Sequence, residues 1–322
     1  QFHMNGFWRG KGQAADVVTL LEGVKAKISN NTVVRYAEGS GLETMDQEKL
    51  ADAVALAKQS DVVILAVGED ADKTGEAASR TNIELYPAQK ALVKAIHATG
   101  TPAVMVLMNG RPLAIEWSEA NIPSILNGWL LGTEAGNALA DVLFGDYNPS
   151  GKLTMTVPRK TGQIPIFYNH KRISRPLDDT RYTSQYVDSS NDPLYAFGYG
   201  LSYTNFSYSA IKLSTDSINL NESLEASVTV TNSGKRFGEE VVQLYVKDMV
   251  GSAVRPVMEL KGFEKIALKA GESQEVKFTI DADDLAFYTR DMSFKAEPGD
   301  FALMIGPSSV SYKSVPFKLT VN

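Results

Sequence analysis

The sequence predicts an α/β sandwich domain followed by an all-β sandwich. Apolar residues follow two different patterns along the chain. The first half alternates helical stripes with nearly continuous apolar runs, whereas apolar and polar residues alternate with a period of two from Phe206 onward. The length of 322 residues agrees with this division, since roughly 100–200 residues make one domain.

The first half is predicted to contain a largely parallel sheet with helices on both faces. Runs such as residues 61–68 (DVVILAVG) are typical of such strands, because helices cover both faces of the sheet. We predict helices over residues 17–24, 50–57, 88–98 and 134–144, and strands over residues 32–37, 61–68, 103–108 and 124–130. Ligands bind beyond the carboxyl ends of strands in open α/β sheets. The segments after Val67, Met108 and Leu130 are therefore the first places to look for a site.

The second half is predicted to be a sandwich of immunoglobulin or fibronectin III type. Alternating strands are expected over residues 224–230, 242–246, 276–280 and 301–305, with turn signals between them. The absence of cysteine favours the disulfide-free, fibronectin III-like form. We expect the α/β domain to span residues 14–157 and the fibronectin III-like domain to span residues 206–322. Residues 158–205 have no clear period, and we expect an ordered connecting arm that completes the α/β domain.

The composition excludes several functions. The 38 acidic and 32 basic residues leave a net charge of −6, and Lys and Arg form no run, so we expect neither nucleic acid nor a membrane as a partner. No segment approaches the roughly 20 apolar residues of a membrane span. Cysteine is absent, and the three histidines (His3, His97, His170) are far apart, so we expect no metal site and no cofactor. The acidic pair Asp178 and Asp179 gives no support for a metal.

The loop after the strand predicted over residues 61–68 carries the main candidates for chemistry. Residues 68–81 contain four carboxylates and two basic side chains. A carboxyl group there can act as a general acid where burial or a like charge raises its pKa. Glu76 follows Gly75 and precedes small residues, which lets a ligand approach closely. A solvated acidic loop explains the same composition, and Glu69 could equally satisfy backbone donors at the strand end.

Two other segments are open to more than one interpretation. Phe7 and Trp8 form either a sugar-stacking platform or a plug against the domain. Residues 108–112 (MNGRP) end a strand, and their Asn-Gly and Pro chemistry by itself predicts a turn. The sequence contains no G-x-S-x-G elbow, no P-loop and no G-x-G-x-x-G, which removes the main support for serine hydrolase, phosphate-binding and nucleotide-binding functions.

Seven blocks of the sequence resemble the family 3 glycoside hydrolases, and among them the bacterial periplasmic β-glucosidases. The blocks occur in the family's order and together extend over essentially the whole chain. They are residues 62–68 (VVILAVG), 76–81 (EAASRT), 107–113 (LMNGRPL), 132–138 (GTEAGNA), 141–153 (DVLFGDYNPSGKL), 195–203 (YAFGYGLSY) and 259–265 (ELKGFEK).

The resemblance implies a division of catalytic labour. In that family a TIM-like barrel precedes the α/β sandwich, so residues 1–13 would be the linker from an N-terminal barrel that is absent here. The barrel supplies the aspartate nucleophile, usually in a Ser-Asp-Trp motif, and that motif does not occur in this sequence. The general acid/base is a glutamate of the α/β sandwich, and the match falls on Glu76, with Glu69 as second choice. Trp8 and Arg80 are assigned to substrate binding. Trp8 would stack on the sugar, and Arg80 would brace the acid loop by pairing with a carboxylate.

Two functions follow from these observations. The chain is either the C-terminal part of a retaining β-glucosidase that hydrolyses terminal β-linked glucose or a related sugar, or a non-catalytic carbohydrate- or protein-binding module derived from such an enzyme. The intact acid loop favours the first, and the missing nucleophile favours the second. The expected partners are a β-glucoside or oligosaccharide and the N-terminal barrel domain, as a separate chain or lost, and a homodimer is left open. Without the barrel we expect no activity. The resemblance alone implies a periplasmic or secreted bacterial location.

Overall fold

The structure, a computed structural model, describes residues 2–173, 175 and 182–321, with the backbone alone at residues 2 and 3. Asp178 and Asp179 lie outside the described residues. The chain forms two compact units. One comprises Gln1–Tyr147 and Pro158–Ile164, and the other comprises Asn148–Val157 and Pro165–Asn322. The domain boundaries expected after residues 13, 157 and 205 stay predictions.

The first unit combines helices with a three-stranded parallel sheet, which confirms the predicted α/β class. Its elements are α1 (Phe2–Asn5), α2 (Leu20–Lys27), α3 (Gln47–Ala57), β1 (Val63–Gly68), α4 (Pro87–His97), β2 (Ala103–Met108), α5 (Glu116–Asn121), β3 (Ser124–Asn127) and α6 (Ala135–Phe144). Single 3-10 turns lie at Ala14–Asp16, Ala71–Lys73 and Thr161–Gln163.

The helix ends follow from local sequence signals. α2 begins after Thr19, whose hydroxyl accepts a hydrogen bond from the Glu22 amide while the Glu22 carboxylate accepts one from the Thr19 amide. α3 begins after Asp46, which accepts hydrogen bonds from two backbone amides of the first turn. α4 has Pro87 at its first position. α6 ends at Gly145, which has a φ of 82°.

The strands lie in the order β1-β2-β3 and are all parallel. On one face Ile64 and Val106 pack with Leu139 of α6 and with α2. Met105, Val106 and Leu107 are consecutive in β2, and all three are almost wholly buried. Since neighbouring side chains of a strand point to opposite faces, both faces of the sheet are covered, as predicted.

Two local predictions need correction, and one short helix was not predicted. Residues 32–37 make no ladder with any strand in the described chain. Val34 packs into the core beside Val106, but Val33 and Tyr36 are 77% and 70% exposed, so side-chain packing rather than backbone pairing holds this segment. β3 ends at Asn127 instead of residue 130, because the φ of 48° at Trp129 takes the chain out of the extended conformation. α5 was not predicted, since six residues are too few to show a helical period.

The second unit contains two larger sheets and a hairpin. Its elements are β4 (Phe206–Tyr208), β5 (Lys212–Leu213), β6 (Ser217–Asn219), β7 (Leu224–Asn232), β8 (Gly238–Asp248), β9 (Glu259–Leu268), β10 (Ser273–Ile280), α7 (Ala282–Leu285), β11 (Phe287–Tyr288), β12 (Phe294–Lys295), β13 (Gly299–Ser308) and β14 (Ser311–Thr320). One sheet has the order β10-β7-β4 with β5 also paired to β7, the other has the order β6-β14-β13-β8-β9, and β11 pairs with β12.

One apolar core joins the two larger sheets of this unit. Val228 and Val276 from one sheet pack with Val242 and Leu303 from the other. The predicted period of two is therefore the alternation between this core and the outer faces. β7, β8, β10 and β13 cover the four predicted strands, which confirms the all-β part of the prediction.

The described residues of the predicted arm beyond Ile164 belong to the second unit. Tyr168 stacks on Phe197 with ring centres 4.3 Å apart. Val157 forms a β-bridge with Tyr195. These contacts order parts of this stretch, whose described residues form no helix or strand.

Candidate active site

The loops that follow β1 and β2 lie side by side at the carboxyl end of the parallel sheet. Gly68 and Met108, the last residues of the two strands, are paired in register. The Glu69 amide donates a hydrogen bond to the Met108 carbonyl at 2.8 Å. A Cβ on Gly68 would lie 1.8 Å from the same carbonyl oxygen, so this close approach requires glycine. The two segments that the sequence singled out after these strands therefore do meet.

Glu69 opens the loop after β1, and its side chain is 0% exposed. Its Oε1 pairs with Arg80 Nη1 at 2.8 Å and with Arg111 Nε at 3.0 Å. Its Oε2 accepts a hydrogen bond from the Gly110 amide at 3.1 Å. Two hydrogen bonds, from Arg80 and the Gly110 amide, and the ion pair with Arg111 compensate the carboxylate for the water it loses on burial. Glu69 has no exposed oxygen to offer a sugar, so the geometry favours Glu76 over this second candidate.

Arg80 holds Glu69 from the far end of the loop. Its Nη2 donates a hydrogen bond to the Glu84 carbonyl at 3.0 Å, and its guanidinium carbon lies 4.4 Å from the ring centre of Tyr86. The carboxylate partner expected for Arg80 is therefore Glu69. The assignment of Arg80 to substrate binding stays a prediction.

Arg111 is a site residue that the sequence reasoning treated only as part of a turn. Its Nη2 donates hydrogen bonds to the Lys73 carbonyl at 2.6 Å and to the Ala78 carbonyl at 2.8 Å. These two carbonyls lie on either side of Glu76 in the chain. The available signal was the position of Arg111 just past a buried strand, where the Asn109 side chain fixes the turn by donating to the Arg111 carbonyl at 2.6 Å.

Glu76 is exposed on the loop between Lys73 and Ala78. Its neighbours Gly75 and Ala77 both have positive φ, of 99° and 57°. Among the described residues, its carboxylate has no hydrogen-bond or ion-pair partner. Glu76 thus projects a carboxylate to the outside from a loop of irregular backbone, where a ligand can reach it.

The N-terminal segment lies against the same loop. A Cβ on Gly75 would lie 2.7 Å from the ring of Phe7, and a Cβ on Gly6 would lie 2.9 Å from Leu130, in the segment after β3. Trp8 is 72% exposed, and its ring meets Phe7 edge-on with centres 5.2 Å apart. The plug interpretation thus suits Phe7, which packs against the loop. The stacking-platform interpretation suits Trp8, which remains open to solvent.

Three buried polar atoms at the arginines have no hydrogen-bond partner within the described chain: the Tyr86 hydroxyl, Asn109 Oδ1 and Arg111 Nε. Burial raises the pKa of the Tyr86 phenol, and the nearby Arg80 guanidinium partly offsets that shift. Tyr86 therefore stays protonated at neutral pH and serves as the ring on which Arg80 rests. Sequence reasoning did not identify it.

The described residues include no cluster of three or more His, Asp or Glu side chains that could hold a metal ion. None of the helices in the described part of the chain is long and apolar enough to cross a membrane.

The sequence matches two described families. Residues 1–203 match the Glycosyl hydrolase family 3 C-terminal domain. Residues 240–309 match the Fibronectin type III-like domain, which confirms the type of sandwich predicted for the second half.

Individual relatives agree with these matches. The periplasmic β-glucosidase of Salmonella typhimurium is 44% identical, over 98% of this chain and 44% of the relative. A β-xylosidase of Formosa agariphila is 43% identical, over 94% of this chain and 42% of the relative. The β-glucosidase of Listeria innocua in complex with gluconolactone has a TM-score of 0.94 at 37% identity, over 99% of this chain and 44% of that chain.

The chain spans less than half the length of these relatives, all of which are named as glycoside hydrolases. Because the first family match covers more than half of the sequence, the chain belongs to the glycosyl hydrolase family 3 C-terminal domain family.

Proposed function

We propose that this chain supplies the general acid/base of a retaining β-glycosidase and that Glu76 has this role. The observation that carries the proposal is the contrast between the two glutamates of one loop. Glu69 is buried between Arg80 and Arg111, whereas Glu76 is exposed at the carboxyl end of the sheet. A proton donor must reach the glycosidic oxygen, and of these two only Glu76 presents its carboxyl group to the outside.

The chemistry needs two carboxyl groups about 5–5.5 Å apart. In the first step Glu76 gives its proton to the glycosidic oxygen while an aspartate attacks the anomeric carbon. The alcohol leaves, and a glycosyl-aspartate ester forms. In the second step the ionised Glu76 takes a proton from water as that water attacks the anomeric carbon, which releases the sugar and regenerates the aspartate.

In this proposal the aspartate belongs to a barrel domain, because the family resemblance assigns it there and no Ser-Asp-Trp motif occurs in the 322 residues. We therefore expect these residues alone to hydrolyse nothing at a useful rate. The partner is the barrel, on a separate chain or on a longer form of this one. The native mass of material purified without denaturant tests this directly. A bound barrel adds a second component of barrel size, whereas a homodimer doubles the mass of the chain.

The substrate class is a terminal β-linked glucose or a related pentose. Two relatives named above support this choice, because one is a β-glucosidase and the other a β-xylosidase. The exposed Trp8 provides an aromatic face for the leaving-group side of the sugar. We place the protein in the bacterial periplasm or outside the cell, supported by the name of the Salmonella relative.

The test is to assay p-nitrophenyl β-glucoside with the chain alone, with a family 3 barrel domain alone, and with both. Turnover is expected only from the mixture, and Glu76→Gln should lower it by about 10²–10⁴-fold. The matched control is Asp72→Asn, which removes an exposed carboxylate from the same loop and should leave turnover unchanged. Equal losses in the two variants would rule out Glu76 as the acid/base.

A non-catalytic sugar-binding module is the second candidate. It is favoured by the exposed Trp8 ring together with the missing nucleophile motif. This function predicts that the chain alone binds a β-glucoside in calorimetry and that Trp8→Ala abolishes the binding. It also predicts that no combination with a barrel domain produces turnover.

A further inference from the structure

The segment that carries Glu76 has a backbone shape that it cannot maintain by itself. Gly75 and Ala77, on either side of Glu76, have φ values of 99° and 57°. A non-glycine residue such as Ala77 remains in the left-handed region only where its surroundings fix it. Contacts from outside the segment must therefore hold the loop in this conformation.

A single guanidinium nitrogen is hydrogen-bonded to both ends of this segment, residues 73–78. Arg111 Nη2 donates to the Lys73 carbonyl at 2.6 Å and to the Ala78 carbonyl at 2.8 Å, so the two ends of the segment meet at one atom. The guanidinium is planar, and its donors form a rigid fork. The direction of Nε therefore determines where Nη2 lies.

The buried carboxylate of Glu69 holds this end of the guanidinium by charge, as an ion pair rather than a hydrogen bond. Its Oε1 lies 3.0 Å from Arg111 Nε. Arg80 and the Gly110 amide hold the same carboxylate, at 2.8 and 3.1 Å. Glu69 comes directly after β1, and Arg111 lies three residues after β2 ends; the two strands are paired up to their last residues. The Glu69–Arg111 ion pair thus lies close to the hydrogen-bonded ends of both strands.

We propose that Arg111 is a positioning residue, which Glu69 anchors and which fixes residues 73–78 so that the Glu76 carboxyl group is placed for proton transfer. The inference rests on the proposed function of Glu76. Arg111 acts through two backbone carbonyls. Its loss should therefore affect the step that needs the acid more than the binding of the sugar.

The first test is amide hydrogen exchange of residues 73–78 in the purified chain. Arg111→Lys keeps a cation near Glu69 but lacks the planar fork, and it should speed exchange in this segment by about tenfold, the equivalent of one lost hydrogen bond. Arg80→Lys is the matched control. It alters the other ion pair of Glu69, but the Arg80 guanidinium donates to the Glu84 carbonyl, outside the segment, so exchange there should stay as in the wild type.

The second test is kinetic and uses the mixture with the barrel domain. Aryl β-glucosides with poor leaving groups need the acid, whereas a dinitrophenyl glucoside hardly does. Arg111→Lys should lower kcat for the poor leaving groups by about 100-fold with KM little changed, as expected for a misplaced catalytic group. For the dinitrophenyl glucoside kcat/KM, which reports the first step, should change little, whereas kcat should fall because the second step still needs Glu76 as a base.

The outcomes separate the two proposals. If Arg111→Lys speeds exchange but its kinetic loss does not depend on the leaving group, the contacts of Arg111 are merely structural and the positioning role is overturned. The role is also overturned if Arg111→Lys matches the wild type in both tests while Glu76→Gln is inactive. A fully active Glu76→Gln would overturn the function proposed for Glu76, and the positioning role with it. If Arg111→Lys does not fold, Gly110→Ala replaces it. Its Cβ would lie 2.8 Å from Thr74 Cβ and displace the same loop.

Discussion

The backbone of Gly75 packs directly against the ring of Phe7, so that a Cβ on Gly75 would lie 2.7 Å from the ring. Gly75 also has a φ of 99°, which other residues rarely adopt. The contact joins the N-terminal segment to the loop one residue before Glu76. Two properties of glycine, its conformational freedom and its missing side chain, are both required at this position.

Gly75→Ala should therefore destabilise the first unit by about 2–4 kcal/mol, since backbone strain and overpacking add. Gly132→Ala is the matched control, because Gly132 has a φ of 77° but nothing within 4 Å of its would-be Cβ, and it should cost only about 1–2 kcal/mol of strain. All three tryptophans, Trp8, Trp117 and Trp129, belong to the first unit. Urea unfolding followed by tryptophan fluorescence thus reports on this unit, and equal losses in the two variants would show that the Phe7 contact contributes nothing.

Removal of the buried charge at Glu69 should be strongly destabilising. Glu69→Gln leaves the guanidinium groups of Arg80 and Arg111 without their carboxylate, and the cost of a broken buried ion pair is about 3–5 kcal/mol. Glu76→Gln should change the free energy of unfolding by less than about 0.5 kcal/mol, because Glu76 is exposed. The same fluorescence measurement compares them. A larger loss for Glu76→Gln would reverse the roles assigned to the two glutamates.

Much of the fold could be predicted because burial leaves a strong periodic signal. β2 has the predicted bounds, and β1 lies within the predicted run over residues 61–68. Residues 32–37 (TVVRYA) also contain adjacent β-branched and aromatic residues, yet they form no ladder in the described chain. Apolar content predicts an extended segment, but strand pairing depends on a neighbouring backbone that the segment itself does not encode.

The position of the candidate site could be predicted from the sequence, but the ion pairs within it could not. Glu69, Glu76 and Arg80 fall in one loop after a buried strand, which made the two glutamates candidates, and the family resemblance added Arg80. Glu69 differs from Glu76 partly through Arg111, which lies in the separate loop after β2 and forms an ion pair with Glu69. Burial of one carboxylate is thus decided by a tertiary contact, and no pattern within the loop contains it.

Trp8 and Phe7 should respond differently to truncation. Trp8→Ala should leave the free energy of unfolding within about 0.5 kcal/mol of the wild type, because the side chain is 72% exposed. If the ring stacks on the sugar, KM in the mixture with the barrel domain should rise about 3–10-fold. Phe7→Ala should instead destabilise the first unit by about 1 kcal/mol or more. A destabilised Trp8→Ala with unchanged KM would make Trp8 a plug.

Two carboxyl groups of the second unit have pKa values shifted in opposite directions. Burial raises the pKa of Asp248, and Arg255, whose Nε lies 3.4 Å away, offsets this only in part. Hydrogen bonds from the Thr289 hydroxyl, and then from the Ser293 hydroxyl and amide, hold the pKa of Asp291 below its usual range. Each shift makes the stability of this unit depend on pH, with opposite sign.

Asp248 binds its proton more tightly in the folded state, so its contribution to stability is fully present below the unfolded pKa of about 3.9 and is lost as pH rises through the folded pKa. The stability advantage of the wild type over Asp248→Asn should therefore increase as pH falls through the raised folded pKa towards about 4. Asp291 contributes above its unfolded pKa, so the advantage of the wild type over Asp291→Asn should shrink as pH falls below about 4. Calorimetry over this pH range measures both differences. Parallel pH trends for the two variants would contradict the opposite environments assigned to these carboxyl groups.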